Sequence, residues 1–149
     1  MIWTPRTTVA AVIERDGKFL MVEEETHDGV VFNQPAGHLE EQESLIDAVT
    51  RETLEETAWD FRPVGLVGVY RWRIPPKGAT YLRFCFHGEV TRHYPDLPLD
   101  QGIRRTAWMT YEELVSQPEC MRSPMVLRCI EDYRRGRSCG LEILNELDG

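Results

Sequence analysis

The chain has 149 residues, 42% of them hydrophobic and 28% charged, which is the composition of a folded protein with one buried core and predicts a single domain over residues 1–149. Its formal net charge of -8 excludes non-specific binding to a nucleic-acid polymer, because affinity for a phosphate backbone needs a positive surface. No apolar run approaches the length of a membrane span, so no membrane partner is expected.

"TTVAAVIERDGKFLMVEEE" holds two apolar, β-branched runs around Arg15-Asp16-Gly17-Lys18, and Asp-Gly between such runs predicts a hairpin. The apolar stretch Val9 to Ile13 is too short for a secretion signal and is followed at once by charge. "VVFNQPAG" predicts a short strand stopped by Pro35 and Gly37. A helix is expected from about Ser44 to Thr57, with Ser44 and Asp47 as a capping-box-like start and Leu45, Ile46, Val49 and Thr53 on one apolar face. "PVGLVGVYRWRI" and "ATYLRFCFHGEV" predict two strands around the turn "PPKG", and "YPDLPLDQG" predicts a loop. "IRRTAWMT" predicts a strand running into a helix near Tyr111 to Val115. "SPMVLRCIEDYRRG" predicts a last helix with Ser123 as cap, Pro124 in its first turn and Gly136 at its end. Two sizeable helices covering a strand-rich sheet make a layered α/β fold. The four cysteines show no CxxC pairing and the histidines are scattered, which points to reduced thiols in a cytoplasm and to no zinc site.

The predicted helix carries Glu52, Glu55 and Glu56 close together. At about 100° per residue, Glu56 lies about +40° and Glu55 about -60° from Glu52, so the three share one stripe. That stripe borders the apolar arc, where like charges repel and lose hydration unless something positive compensates. A solvated acidic face would lie opposite the apolar arc and use lysines four residues away. No lysine occurs between Lys18 and Lys77, and Arg51 is the helix's only cation. The arrangement favours metal binding, and oxygen-only ligands suit a hard cation, Mg²⁺ or Mn²⁺.

The same segment resembles the Nudix box: Gly, five residues, Glu, seven residues, Arg-Glu, an aliphatic residue, any residue, Glu-Glu, any residue, Gly, aliphatic. Gly37, Glu43, Arg51, Glu52, Glu55 and Glu56 all fall in register. Ala58 stands where the pattern has its second glycine, Trp59 where it has an aliphatic, and Thr53 replaces another aliphatic. If that glycine ends the helix in a left-handed conformation, alanine there costs about 1 kcal/mol. Ala36 also stands where the family more often has a glycine.

The resemblance implies a Nudix-type α/β/α sandwich with a mixed β-sheet, and Mg-dependent hydrolysis of a diphosphate bond linked to an organic group. By position, it implies that Glu52, Glu55, Glu56 and the Gly37 carbonyl hold the metal, with Glu52 favoured as the base and Arg51 and Glu43 as orienting partners. Glu89, Asp96 and Asp100 are further candidates for a metal contact, and nothing in the sequence selects among them. "FNQPAGHLE" and "RSPMVLRCIEDYRRG" are similar to segments of the NudJ group of bacterial phosphatases within that family. This similarity implies a monomer that acts on nucleoside di- and triphosphates and thiamine-related pyrophosphates, releasing phosphate. Hydrolysis of oxidised dNTPs, of ADP-ribose or dinucleotides, and a non-catalytic regulatory role are the alternatives.

Candidates for holding the substrate are Arg71, Arg73, Tyr81 and Arg83 on two strands predicted to be neighbours, and Arg122 at the start of the last helix. Arginine forks suit phosphate and aromatics stack on heterocycles. An ordinary exposed sheet face explains the strand residues equally well, and capping alone explains the neighbouring Ser123.

Overall fold

The turn at Asp16-Gly17 has both residues at positive φ, 53° and 76°, the backbone that Asp-Gly favours in a tight hairpin. It joins β1 (Arg6–Arg15) to β2 (Lys18–Thr26) in a computed structural model that describes residues 1–148. The hairpin ladder is shorter than the sequence predicts: only Glu14↔Phe19 and Arg15↔Lys18 pair. Beyond the turn the strands part. β1 runs parallel to β6 (Thr80–His93) from Arg6 to Ile13, and β2 pairs with β3 (Gly29–Asn33) and β7 (Ile103–Thr110).

"VVFNQPAG" is likewise two strands rather than one. β3 ends at Asn33, Pro35 interrupts the ladder, and β4 (Ala36–His38) crosses to pair with β1. Gly37 therefore sits inside a strand instead of stopping one. β5 (Trp59–Arg73) begins four residues earlier than "PVGLV" suggests and pairs with β6 and with the short β8 (Cys139–Gly140). The sheet order is β3-β2-β1-β6-β5-β8, with β4 paired to β1 and β7 to β2. The parallel β1–β6 pair among antiparallel neighbours makes the sheet mixed.

Among the described residues the α-helices that cover the sheet are α1 (Leu45–Thr57), α2 (Tyr111–Val115) and α3 (Pro124–Arg134). β1 is apolar on both faces because both faces are covered. Val9, Ala11 and Ile13 pack with Ala48 and Val49 of α1 on one side. Ala10 and Val12 pack with Val126, Cys129 and Ile130 of α3 on the other. The result is an α/β/α sandwich. Cys85, Cys120, Cys129 and Cys139 carry no disulfide, and no helix among the described residues is long and apolar enough to cross a membrane.

Both ends of α1 follow from local chemistry. Ser44 caps the start, its hydroxyl accepting from the Asp47 backbone N–H at 3.0 Å. Ala58 ends the helix in the left-handed region at φ 61°, and its N–H donates to the Leu54 carbonyl at 2.9 Å. The alanine thus adopts the conformation that the family's glycine would take without strain.

Candidate metal and catalytic site

Along α1, Glu52 and Glu56 are buried at 9% and 7% exposure, and Glu55 is half-buried. Glu52 faces β4, where Gly37 makes room for it: a Cβ at residue 37 would overlap the Glu52 carboxyl group. A side chain at residue 37 would therefore move that carboxyl group from its place in the site. Glu56 Oε1 accepts from the Ala36 backbone N–H at 2.9 Å, fixing that carboxyl group against the same strand.

Arg51 ties the acidic groups together. Its Nε and Nη2 donate to the two oxygens of Glu43 at 3.0 and 2.8 Å, a bidentate pair. Its Nη1 reaches Glu52 Oε1 at 2.9 Å and Glu55 Oε2 at 3.1 Å, and Nη2 also donates to the His38 carbonyl at 3.1 Å. One guanidinium therefore joins the loop before α1, the strand β4 and two carboxylates of the stripe.

One cation does not neutralise the cluster. The Arg51 hydrogen bond holds the Glu43 carboxyl below its usual range. Burial raises Glu52, against the opposing pull of Arg51. Burial pushes Glu56 up to about 9, with the charges of Glu24, Glu52 and Asp100 acting in the same direction and the Ala36 N–H opposing them. Burial therefore favours the protonated form of Glu56, and a nearby positive charge would oppose it.

The loop from Tyr94 to Gly102 supplies a fourth carboxylate. The Tyr94 N–H donates to the Ala58 carbonyl at 2.8 Å and the Asp100 N–H to the Glu55 carbonyl at 3.0 Å, so the loop is pinned to the end of α1. Carboxylate oxygens of Glu52, Glu55 and Asp100 then lie within 4.8 Å of one another. Of the candidates outside the box, Asp100 is the one at the cluster. Glu89 pairs with Arg62 on the exposed surface at 2.7 Å, and Asp96 is exposed on the same loop outside the set. Glu56 lies deeper than these three, beside Glu24. This donor set fits a hard divalent cation: every donor is an oxygen, the charges are alike, and Arg51, the only arginine bonded to the stripe among the described residues, is already shared among several acceptors.

A NUDIX domain model matches residues 4–127. The chain belongs to the Nudix family. It is 37% identical to phosphatase NudJ of Escherichia coli (strain K12) over 147 residues, covering 99% of this chain and 95% of that protein. A Nudix hydrolase from Nitrosomonas europaea is 48% identical, with a TM-score of 0.94 and coverage of 98% and 99% of the two chains. The Nudix domain of Shewanella oneidensis NrtR, solved with ADP ribose, shares the fold at 20% identity and a TM-score of 0.70, covering 91% of this chain and 90% of that one. The chain is a Nudix hydrolase and a homologue of the NudJ phosphatases.

The arginines outside the box divide between two faces of the sheet. Tyr70↔Arg83 and Trp72↔Tyr81 are cross-strand partners and share the α3 side. Arg71 and Arg73 pair with Leu82 and Thr80 and point to the opposite face, where both are exposed. Arg71 and Arg73 therefore do not join Tyr81 and Arg83 in one constellation. Arg83 is 4% exposed, and its Nη1 donates to Gln34 Oε1 at 2.7 Å. Arg122 extends from the start of α3 to Glu24 Oε2 at 3.2 Å. Burial raises Glu24, while the charges of Arg122 and Arg83 lower it. Glu24 thus bonds Arg122 at the start of α3 and adds its charge to the field at Glu56, a position that sequence reasoning missed. Nothing in the spacing of the sequence marks it.

Proposed function

We propose that this Nudix hydrolase is a Mg²⁺-dependent enzyme, with Mn²⁺ as a substitute, that cleaves phosphoanhydride bonds of small substrates. The proposed substrates are nucleoside di- and triphosphates and thiamine-related pyrophosphates, with phosphate as product. The observation that carries this reading is the convergence of Glu52, Glu55 and Asp100 beside the buried Glu56, joined to full-length likeness to phosphatase NudJ. We take the chain to act as one catalytic domain and as a monomer in the cytoplasm.

Glu52, Glu55, Asp100 and the Gly37 carbonyl would hold the cation, with Glu56 completing the set once its proton leaves. When bound, such a cation offsets the negative charge of the phosphate oxygens and makes water in contact with it more acidic. The protein's own groups do the rest. Arg51 engages Oε1 of Glu52 and leaves Oε2 to accept the proton of the attacking water, a role worth roughly 10²- to 10⁴-fold. Glu43 holds Arg51 by both oxygens and so fixes the orientation of Glu52. Burial makes Glu52 a better proton acceptor than an ordinary surface carboxylate.

The test is a product assay with Mg²⁺ over nucleoside di- and triphosphates, thiamine pyrophosphate, hydroxymethylpyrimidine pyrophosphate and ADP-ribose, with phosphate and pyrophosphate measured separately. Phosphate from several substrates, the diphosphates included, is the expected result. Pyrophosphate from one oxidised dNTP, or AMP from ADP-ribose, would replace the substrate assignment while keeping the Nudix chemistry.

A further inference from the structure

α1 gives way to β5 at Ala58-Trp59-Asp60, and β6 gives way to the Tyr94–Gly102 loop at His93-Tyr94. The two junctions are fastened at successive residues. The Ala58 carbonyl accepts from the Tyr94 N–H at 2.8 Å. Trp59 and His93 are cross-strand partners whose rings stack with centroids 4.6 Å apart and an interplanar angle of 27°. Asp60 Oδ2 accepts from the Tyr94 hydroxyl at 2.7 Å. The Arg92 guanidinium lies over the Tyr94 ring, 4.7 Å from its centroid. Tyr94 is thus held through its backbone, its hydroxyl and its ring.

Asp100 follows six residues later, and the chain between is stiff. Pro95 and Pro98 have a fixed φ and no backbone donor, and the Leu97 N–H closes a turn onto the Tyr94 carbonyl at 3.0 Å. At the far end the Asp100 N–H donates to the Glu55 carbonyl at 3.0 Å, and the Asp100 carbonyl accepts from the Ile103 N–H at 3.1 Å. The Asp100 carboxylate is exposed and, among the described residues, has no hydrogen bond or ion pair of its own to hold it. Its place within 4.8 Å of Glu52 and Glu55 therefore depends on the backbone anchors on either side. A stiff spacer passes a displacement at Tyr94 on to Asp100, where a flexible one would absorb it.

Resting on the cation-dependent hydrolase reading above, we infer that the Tyr94–Asp60 hydrogen bond is a latch that positions Asp100 at the carboxylate cluster, which makes Tyr94 and Asp60 positioning residues for the divalent cation. Neither side chain belongs to the cluster; the bond acts at the entry of the loop and reaches the site by fixing the loop's backbone. Its acceptor is a carboxylate, which makes it one of the stronger hydrogen bonds a phenol can form. Without the hydroxyl bond the Ala58 contact still ties the loop to α1, but the course of the chain towards Asp100 is less constrained. A cation site gains affinity when its oxygens are held in place before the ion arrives, because less ordering remains to be done on binding.

Two measurements on the full chain test this without turnover. In chelator, amide hydrogen exchange at Asp100 should be at least about threefold faster in Tyr94→Phe and in Asp60→Ala than in wild type. Asp60→Asn keeps an acceptor for the hydroxyl and should exchange like wild type. In calorimetric titrations with Mg²⁺, Tyr94→Phe should weaken binding by about three- to tenfold. In an Asp100→Ala background, which leaves no carboxylate to position, the same substitution should cost nothing further. An Asp100 amide that exchanges alike in wild type and Tyr94→Phe would overturn the latch. So would a loss of Mg²⁺ affinity of equal size with and without the Asp100 carboxylate. A wild-type protein that binds no Mg²⁺ would fail the hydrolase reading instead, and the exchange rates would still decide whether Tyr94 holds Asp100.

Discussion

Among the carboxyls of the site, Glu56 is pushed furthest from its ordinary range, which couples its ionisation to stability and to cation binding. Its carboxyl is pushed up to about 9 by burial and by Glu24, Glu52 and Asp100, against an ordinary glutamate near 4.3 in the unfolded chain. A group with a raised folded-state value binds more protons folded than unfolded across that window, so stability falls as pH rises from about 4.5 towards 9. The metal-free protein should therefore lose melting temperature over that range, and Glu56→Gln should flatten the loss. Thermal melts in chelator at pH 5, 7 and 9 check this; a wild-type profile as flat as that of the variant would contradict it. Added Mg²⁺ should raise the wild-type melting temperature more at pH 9 than at pH 5, because binding must displace the proton. Asp100→Asn should weaken Mg²⁺ binding by about tenfold or more, while Asp96→Asn on the same loop leaves it unchanged. Calorimetry with Mg²⁺ separates the two, and equal behaviour of both variants would remove Asp100 from the site.

At the scale of elements, the helix was the most legible part and the strand crossing the least. Ser44, the apolar arc and the carboxylate stripe all lie within one short segment, where 3.6-residue periodicity and capping chemistry act locally. The left-handed end at Ala58 was also readable, from the departure at the pattern's glycine. The parting of β1 and β2 beyond two pairs was not, because the Asp-Gly turn fixes only the turn and the partners of each strand come from elsewhere in the chain. For the same reason Arg71 and Arg73 could not be separated from Tyr81 and Arg83 until the cross-strand register was known. Asp100 reaches α1 through a backbone hydrogen bond to Glu55 that leaves no trace in composition or spacing. Two variants test the element-level account. Ser44→Ala should cost about 1 kcal/mol of stability and leave the chemistry intact, as read by denaturant unfolding beside steady-state rates. Gly37→Ala should do the reverse: its Cβ would displace Glu52, so turnover should fall at least about tenfold while a folded circular dichroism spectrum persists. Wild-type turnover in folded Gly37→Ala would refute the packing of Glu52 against β4.

In the whole molecule, the sheet separates two packed faces. α1 packs on one face and brings its carboxylates to β4 and the Tyr94–Gly102 loop, while the opposite face, on the α3 side, carries Arg83, Tyr81 and Trp72. Glu24 and Arg122 connect the two sides. A molecule with formal charge -8 could act on an anionic substrate on this plan because a cation held at its acidic site would offset the substrate's charge. The central claim is that the carboxylate cluster makes hydrolysis depend on a divalent cation. The measurement that tests it most directly is phosphate release from a nucleoside diphosphate by chelator-treated protein during stepwise addition of Mg²⁺, for wild type and Glu56→Gln in parallel. No release in chelator, saturable recovery for wild type and a near-flat response for the variant are expected. Equal release in chelator, or a folded Glu56→Gln protein that recovers like wild type, would contradict it.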